Sequence, residues 1–264
     1  MDDKTWDKVH QPCPLCNSSD AVGVNTDGSA KCFSCGEFMP DYDKACKGES
    51  MTTTTTTKLP DIVDEGSFNA LSDRRISQAT AKKYGVKVAL DLQGNVVKHF
   101  YPYYNGYELS ATKCRNVRNK DFFVSGTYND TGLFGQQLFK GGKYVTITEG
   151  ECDAMAAYEL LGSKWAVVSI KRGAGSAVKD VKESLEFFDE FENVIIAFDN
   201  DKAGKEAALK VARLFKPSKA KILNLPNGWK DPNDMLRSNK HKEFVEAWWA
   251  AKVYTPSGVI NISE

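Results

Sequence analysis

The residues that could do chemistry in this chain include two acidic bursts, Thr148-Glu149-Gly150-Glu151-Cys152-Asp153 and Phe198-Asp199-Asn200-Asp201. Each closes a run of β-branched and aromatic residues, Tyr144–Thr148 and Asn193–Phe198, that reads as a strand. Each is followed by apolar residues at helical spacing: Met155, Tyr158 and Leu161 after the first, Ala207, Ala208, Val211, Ala212 and Phe215 after the second. Strands that deliver acids just before a helix put them on one edge of a parallel sheet, where open α/β folds bind their ligands. Glu149 and Glu151, like Asp199 and Asp201, stand two apart, so in extended backbone each pair points the same way. Converging carboxylates repel one another, whereas one or two Mg²⁺ ions hold them ionised. The pattern points to a metal site for phosphoryl chemistry. Acidic turns can also simply start helices, but the repetition of the motif at two strand ends weighs against that reading.

The second chemical group is Cys13-Pro-Leu-Cys16 and Cys32-Phe-Ser-Cys35, separated by fifteen residues, the spacing of a four-thiolate Zn²⁺ site. Each CxxC pair can wrap one side of the ion, with Asn17 and Gly36 suited to the left-handed turns of such knuckles. Forty residues hardly build a core alone, so one structural zinc is expected to fold this segment. Three lysines, Lys4, Lys8 and Lys31, face six acids there (Asp2, Asp3, Asp7, Asp20, Asp27 and Glu37), so phosphate attraction is weak. Any contact with DNA is expected to read base edges. The other three of the seven cysteines, Cys46, Cys114 and Cys152, are scattered, which favours reduced thiols over disulfides.

The elements that must position these groups follow in order. Residues 41–58 lack hydrophobic periodicity and include the run Thr52–Thr57, which reads as a flexible linker spanning roughly 25 Å. Leu71–Tyr84 is expected to be helical, with a cap near Ser77 and an end at Gly85. Val86–Val88 and Asn95–Tyr104 read as strands around the turn Leu92–Asn95. Between Arg74 and Lys120 ten basic residues are opposed only by Asp91 and Glu108. Tyr101, Tyr103, Tyr104 and Tyr107 lie among them, a composition suited to a single-stranded nucleic-acid track with stacking faces. A solvated basic face over core tyrosines is the alternative. Further on, Trp165–Ile170 is a third strand, leading into Lys171-Arg172-Gly173-Ala174-Gly175-Ser176, a turn that could cradle phosphate or merely connect strand to helix. Lys221–Leu225 is the last strand. Asp231 and Asp234 then add carboxylates to the same edge, before an amphipathic helix around Phe244, Val245, Trp248 and Trp249.

The motifs Thr148-Glu149-Gly150-Glu151-x-Asp153 and Phe198-Asp199-x-Asp201-x-Ala203-Gly204 closely resemble a Toprim domain, shared by bacterial-type primases, topoisomerases and some nucleases. With the CxxC-x15-CxxC module, the stretch Thr26-Asp27-Gly28 and the segment Leu133-Phe134-Gly135, nearly the whole chain is similar to the primase half of the primase–helicases of T7-like phages. That resemblance implies an α/β protein: a four-cysteine zinc ribbon tethered to an αβ core that contains a Rossmann-like parallel Toprim sheet. The implied segments are a zinc domain at 1–40, a linker at 41–58, a basic subdomain at 59–140, a Toprim subdomain at 141–252 and the start of a second linker at 253–264. It implies Glu149, Asp199 and Asp201 as catalytic. The metal-binding set, for one or two Mg²⁺ or Mn²⁺, would be these acids with Glu151, Asp153 and Asp231. Lys113, Arg115, Arg118 and Lys120 would bind nucleotide and template. Asp27, Ser29 and Lys31 would read the template's start signal.

The implied activity is synthesis of short RNA primers on single-stranded DNA from ribonucleoside triphosphates, alongside a replicative helicase, fused or separate, and a DNA polymerase. Charge is balanced at 35 basic and 35 acidic residues, so no global attraction to nucleic acid is expected. Neither a membrane-spanning apolar run nor a secretion signal is visible, and the expected location is the host cytoplasm. The absence of GxxxxGK[ST] leaves no helicase half, and Pro256–Glu264 resembles the start of a linker into one. The rival reading is a non-catalytic recombination mediator that also pairs a four-cysteine finger with Toprim. Such proteins generally lack the full acid set and the large basic region. A topoisomerase would need a nucleophilic tyrosine on further domains, for which 264 residues leave no room.

Overall fold

Short strands with a few small apolar residues turned inward build an antiparallel sheet in the N-terminal unit. In a computed structural model, residues 6–16, 18–34, 37–47 and 62–255 are described, and the chain divides into units Met1–Thr57 and Lys58–Glu264. The first unit is a meander of β1 (Trp6–Gln11), β2 (Val22–Asn25), β3 (Ala30–Cys32) and β4 (Phe38–Met39), paired in that order. Val22, Val24, Ala30, Cys32 and Met39 turn inward, while Lys31 and Phe38 face solvent. Helix α1 (Tyr42–Cys46), capped by Asp41, packs Tyr42 and Ala45 on this small core, and the Tyr42 hydroxyl donates to the Pro12 carbonyl at 2.6 Å. The linker expected from residue 41 therefore does not begin there. One buried aromatic anchored by a hydrogen bond folds Tyr42–Cys46 onto the sheet, a signal too short to show as periodicity. Residues 48–61, with the threonine run, lie outside the described residues.

The second unit starts with a 3₁₀ turn, Ser72–Arg74, and α2 (Gln78–Tyr84). The single helix expected across Leu71–Tyr84 is interrupted because Leu71 and Ile76 exchange backbone hydrogen bonds, which forces Arg75 into the left-handed region (φ 55°). Ser77 caps α2 and Gly85 (φ 74°) ends it, as the sequence indicates. An antiparallel sheet follows: β5 (Lys87–Leu90), β6 (Val96–Asn105), β7 (Glu108–Asn116) and β8 (Phe122–Gly126), in that spatial order.

Then the chain alternates strand and helix: β9 (Gly142–Thr148), α3 (Glu151–Leu160), β10 (Ala166–Ser169), α4 (Ala177–Glu183), α5 (Leu185–Asp189), β11 (Phe191–Ala197), α6 (Lys202–Ala212), β12 (Ala220–Ile222), α7 (Pro232–Arg237), α8 (His241–Trp249) and β13 (Lys252–Val253). The sheet order is β10-β9-β11-β12-β13, parallel except for β13. One face buries Ile147, Val194 and Ile196 with residues of α4 and α6. The other buries Ile195 and Ala197 with α3, Trp248 of α8, and Tyr84, Tyr101 and Tyr103. Tyr101 and Tyr103 are fully buried, so they are core residues and not the stacking faces the sequence suggested; β6 turns them toward α3. Tyr107 is exposed. Among the described residues, no helix is long and apolar enough to cross a membrane.

Candidate active site

The parallel register brings the ends of β9 and β11 together, pairing Thr148 with Ala197, so the two acidic turns leave the sheet side by side. Two glycines make the turns tight enough. A Cβ on Gly204 would collide with the carbonyl oxygen of Asp199 and lie 2.9 Å from its carbonyl carbon, so only glycine lets α6 start this close to the strand end. A Cβ on Gly150 would lie 2.8 Å from Asp153 Oδ2.

Asp153, Asp199 and Asp231 converge, each offering an oxygen within 4.8 Å of the others. Asp153 accepts a backbone bond from Asn233 at 3.3 Å, and Asp231 caps α7 through the Asp234 amide at 2.7 Å. Burial, followed by the neighbouring Asp231 and Asp199, pushes Asp153 well above the usual carboxylate range; burial and the adjacent acids also raise Asp231. Glu149 sits beside them. Its Oε1 accepts the Ala174 amide at 3.1 Å, while its buried Oε2 has no hydrogen-bond partner. Burial, then Asp199, raises its pKa. Hard anionic oxygens crowded together, one of them orphaned, fit a hard divalent cation such as Mg²⁺ or Mn²⁺.

Other expected ligands are engaged differently. Asp201 caps α6, accepting the Gly204 amide at 2.8 Å, and is exposed. Glu151 stands outside the group of three. It is the first residue of α3, and its Oε1 accepts both the Lys113 ammonium and the Tyr103 hydroxyl at 2.7 Å. The two-apart acids of the first motif thus diverge, because a helix starts between them. Lys113 also donates to the Lys171 carbonyl at 3.1 Å and lies 4.9 Å over the Phe122 ring, which Arg115 flanks at 5.5 Å. Arg118 and Lys120 are exposed in the turn between β7 and β8. The loop Gly173–Ser176 holds the Glu149 carboxylate.

In the N-terminal unit, the sulfurs of Cys13, Cys16 and Cys32 lie within 4.8 Å of one another, and those of Cys16 and Cys32 are 3.7 Å apart. Three thiols so placed suit the tetrahedral, sulfur-rich shell of zinc. Cys35 lies outside the described residues. Asp27 and Lys31 are exposed, whereas Ser29 is buried, its hydroxyl donating to Asp27 at 2.6 Å and accepting from Asn25 at 3.0 Å. As folded, Ser29 is bonded within its own hairpin.

Comparison with known proteins agrees with this arrangement. A Toprim-like family model matches residues 146–236. A DNA helicase/primase of Enterobacteria phage T3 is 32% identical over 259 residues, 96% of this chain but 45% of that protein. The chain thus spans about half that relative's length. The crystal structure of the primase fragment of the bacteriophage T7 primase-helicase is 30% identical with a TM-score of 0.65, covering 91% of this chain and 98% of the fragment. The chain belongs to the T7-like phage primase family. Primase domains of phage T7, in a structure with its lagging-strand DNA polymerase, an RNA/DNA hybrid and dTTP, are 33% identical with a TM-score of 0.65, covering 72% of this chain and 94% of that one.

Two features of this T7-like primase chain escape its sequence. The first is Lys230, whose ammonium lies 2.8 Å from Asp199; its neighbour Asp231 was the only signal. The second is a hydrogen-bonded file from Asp73 through His99 and Tyr101 to Cys152, with steps of 2.9, 2.8 and 3.2 Å. Burial pushes the Cys152 thiol up to about 12, away from the range of a reactive thiolate.

Proposed function

We propose that this chain is a DNA primase that joins ribonucleoside triphosphates on a single-stranded DNA template. The convergence of Asp153, Asp199 and Asp231, with the unpartnered oxygen of Glu149 beside them, carries the reading. In the proposed reaction the 3′-hydroxyl of one ribonucleotide attacks the α-phosphorus of the next, a phosphodiester bond forms, and pyrophosphate leaves with the bonding electron pair. One or two divalent metals held by these acids would supply the charge that activates the hydroxyl and stabilises the leaving group. Glu149, with its raised pKa and free oxygen, suits acceptance of the hydroxyl proton. Lys113 and Arg115 flank Phe122 in a cation–aromatic cluster suited to a base and its phosphates, with Arg118 and Lys120 extending the charge.

The N-terminal unit would bind one structural zinc through Cys13, Cys16, Cys32 and Cys35, and read the start signal through exposed groups such as Asp27 and Lys31. The expected partners are a replicative helicase and a DNA polymerase, and the expected place is the host cytoplasm. Asp199→Asn removes charge without volume. Incubated with single-stranded DNA, labelled ribonucleotides and Mg²⁺, it is expected to lose primer synthesis by orders of magnitude while keeping its DNA affinity. Near-normal synthesis by Asp199→Asn refutes the site. Template binding without synthesis by the unaltered chain favours the recombination mediator.

A further inference from the structure

We propose that Lys230 is the resident counter-ion of the carboxylate site, displaced from Asp199 by the divalent metal and then engaging the polyphosphate of the incoming nucleotide. The inference rests on the reading above and adds a residue to it.

Its main chain is fastened to the acidic turn at two points: the Lys230 carbonyl accepts the Asn200 amide at 2.7 Å, and the carbonyl of the adjacent Trp229 accepts the Asn200 side chain at 3.1 Å. The side chain is loose by comparison, with 59% of it exposed and its ammonium held at 2.8 Å by Asp199. Lys230 is therefore delivered to the site by backbone, while its charged end is free to change partners.

One ammonium cannot balance Asp153, Asp199 and Asp231 together. A divalent cation neutralises them better, because it can touch several carboxylate oxygens at once. Lys230 and the metal then compete for Asp199. Once released, the ammonium would stay tethered beside the acids that would hold the metal, and a triphosphate is a ligand whose charge both cations would attract.

The consequence is a pair of effects with opposite signs. Removing the ammonium favours the metal in the absence of nucleotide, and disfavours the nucleotide once the metal is present. A lysine that merely stabilised its loop would not produce that pair.

The test uses the zinc-loaded full chain, with Mn²⁺ as the metal probe followed by electron paramagnetic resonance and ATP as the polyphosphate probe followed by calorimetry. Asp199→Asn identifies the signal that belongs to the carboxylates. In Lys230→Met and Lys230→Gln, Mn²⁺ is expected to bind about tenfold tighter, the order expected for one charge acting on a divalent ion in a hydrated site. ATP is expected to bind the Mn²⁺-loaded variants about tenfold more weakly. Lys230→Arg, which keeps the charge, is expected to stay near the unaltered chain in both. Unchanged or weaker Mn²⁺ binding in both neutral variants overturns the proposal, as does unchanged ATP binding. Primer synthesis by the unaltered chain is measured in parallel. If synthesis is present and the Lys230 effects are absent, only this inference fails; if synthesis is absent, the proposed function fails.

Discussion

Glu151 is expected to hold Lys113 in place, not to bind metal. It is 6% exposed and accepts two short bonds, from Lys113 and Tyr103, both at 2.7 Å. The Lys113 side chain is itself only 15% exposed, so Glu151→Ala strands an ammonium in a half-dry site. Breaking a buried pair from one side costs about 3–5 kcal/mol. The remaining bond from Lys113 to the Lys171 carbonyl, at 3.1 Å, argues for the lower end, about 3 kcal/mol. In a unit of this size each kcal/mol moves the melting temperature by about 2–4 °C, so a drop of roughly 6–12 °C is expected. Glu151→Gln keeps an acceptor for Tyr103 and is expected to lose about half as much. Starting from Lys113→Met, the same Glu151→Ala change is expected to cost less by about 1–3 kcal/mol, because the two residues are coupled. The assay is thermal unfolding followed by circular dichroism, with Mn²⁺ binding measured on the same samples. If Glu151→Gln melts like the unaltered chain and loses Mn²⁺ as Asp199→Asn does, Glu151 is a metal ligand and the ion-pair argument is wrong.

Gly204→Ala, which forces a Cβ against the Asp199 carbonyl, is expected to shift the acidic turn and weaken Mn²⁺ binding at least as much as it lowers the melting temperature; unaltered Mn²⁺ affinity would contradict the close approach. Folded-state pKa values of Asp153, Asp231 and Glu149 lie above their unfolded values, so the native state binds more protons and stability falls as pH rises through the raised values. The metal-free protein is therefore expected to melt higher near pH 5 than near pH 7.5, with saturating Mg²⁺ shrinking or reversing the difference; a metal-free melting temperature that climbs across this range counts against the cluster. Zinc removal, or Cys32→Ser, is expected to unfold the N-terminal unit, whose buried core is small, while the unfolding of Lys58–Glu264 stays unchanged; a folded, zinc-free N-terminal sheet in amide-exchange measurements would refute the metal's structural role.

What the sequence by itself determined is what is local. A strand that ends in acids before a helix, twice, carries its own geometry, and so do the Ser77 and Gly85 caps, because each depends on residues within a turn or two of one another. The parallel sheet and the placement of Asp199 beside the first acidic turn follow from that pattern. Only the tertiary structure decided which partner stands opposite each side chain. Tyr101 and Tyr103 share a basic stretch with exposed Tyr107, yet β6 turns them into the core against α3. Glu151 shares a motif with Glu149, yet helix α3 begins between them and carries it to Lys113, 38 residues earlier in the chain. Ser29 is drawn into its own hairpin, and Lys230 is set against Asp199 by a loop that returns after β12. Periodicity records the direction in which a residue leaves the backbone, whereas charge pairing and desolvation depend on segments distant in sequence that only folding brings within a few ångströms.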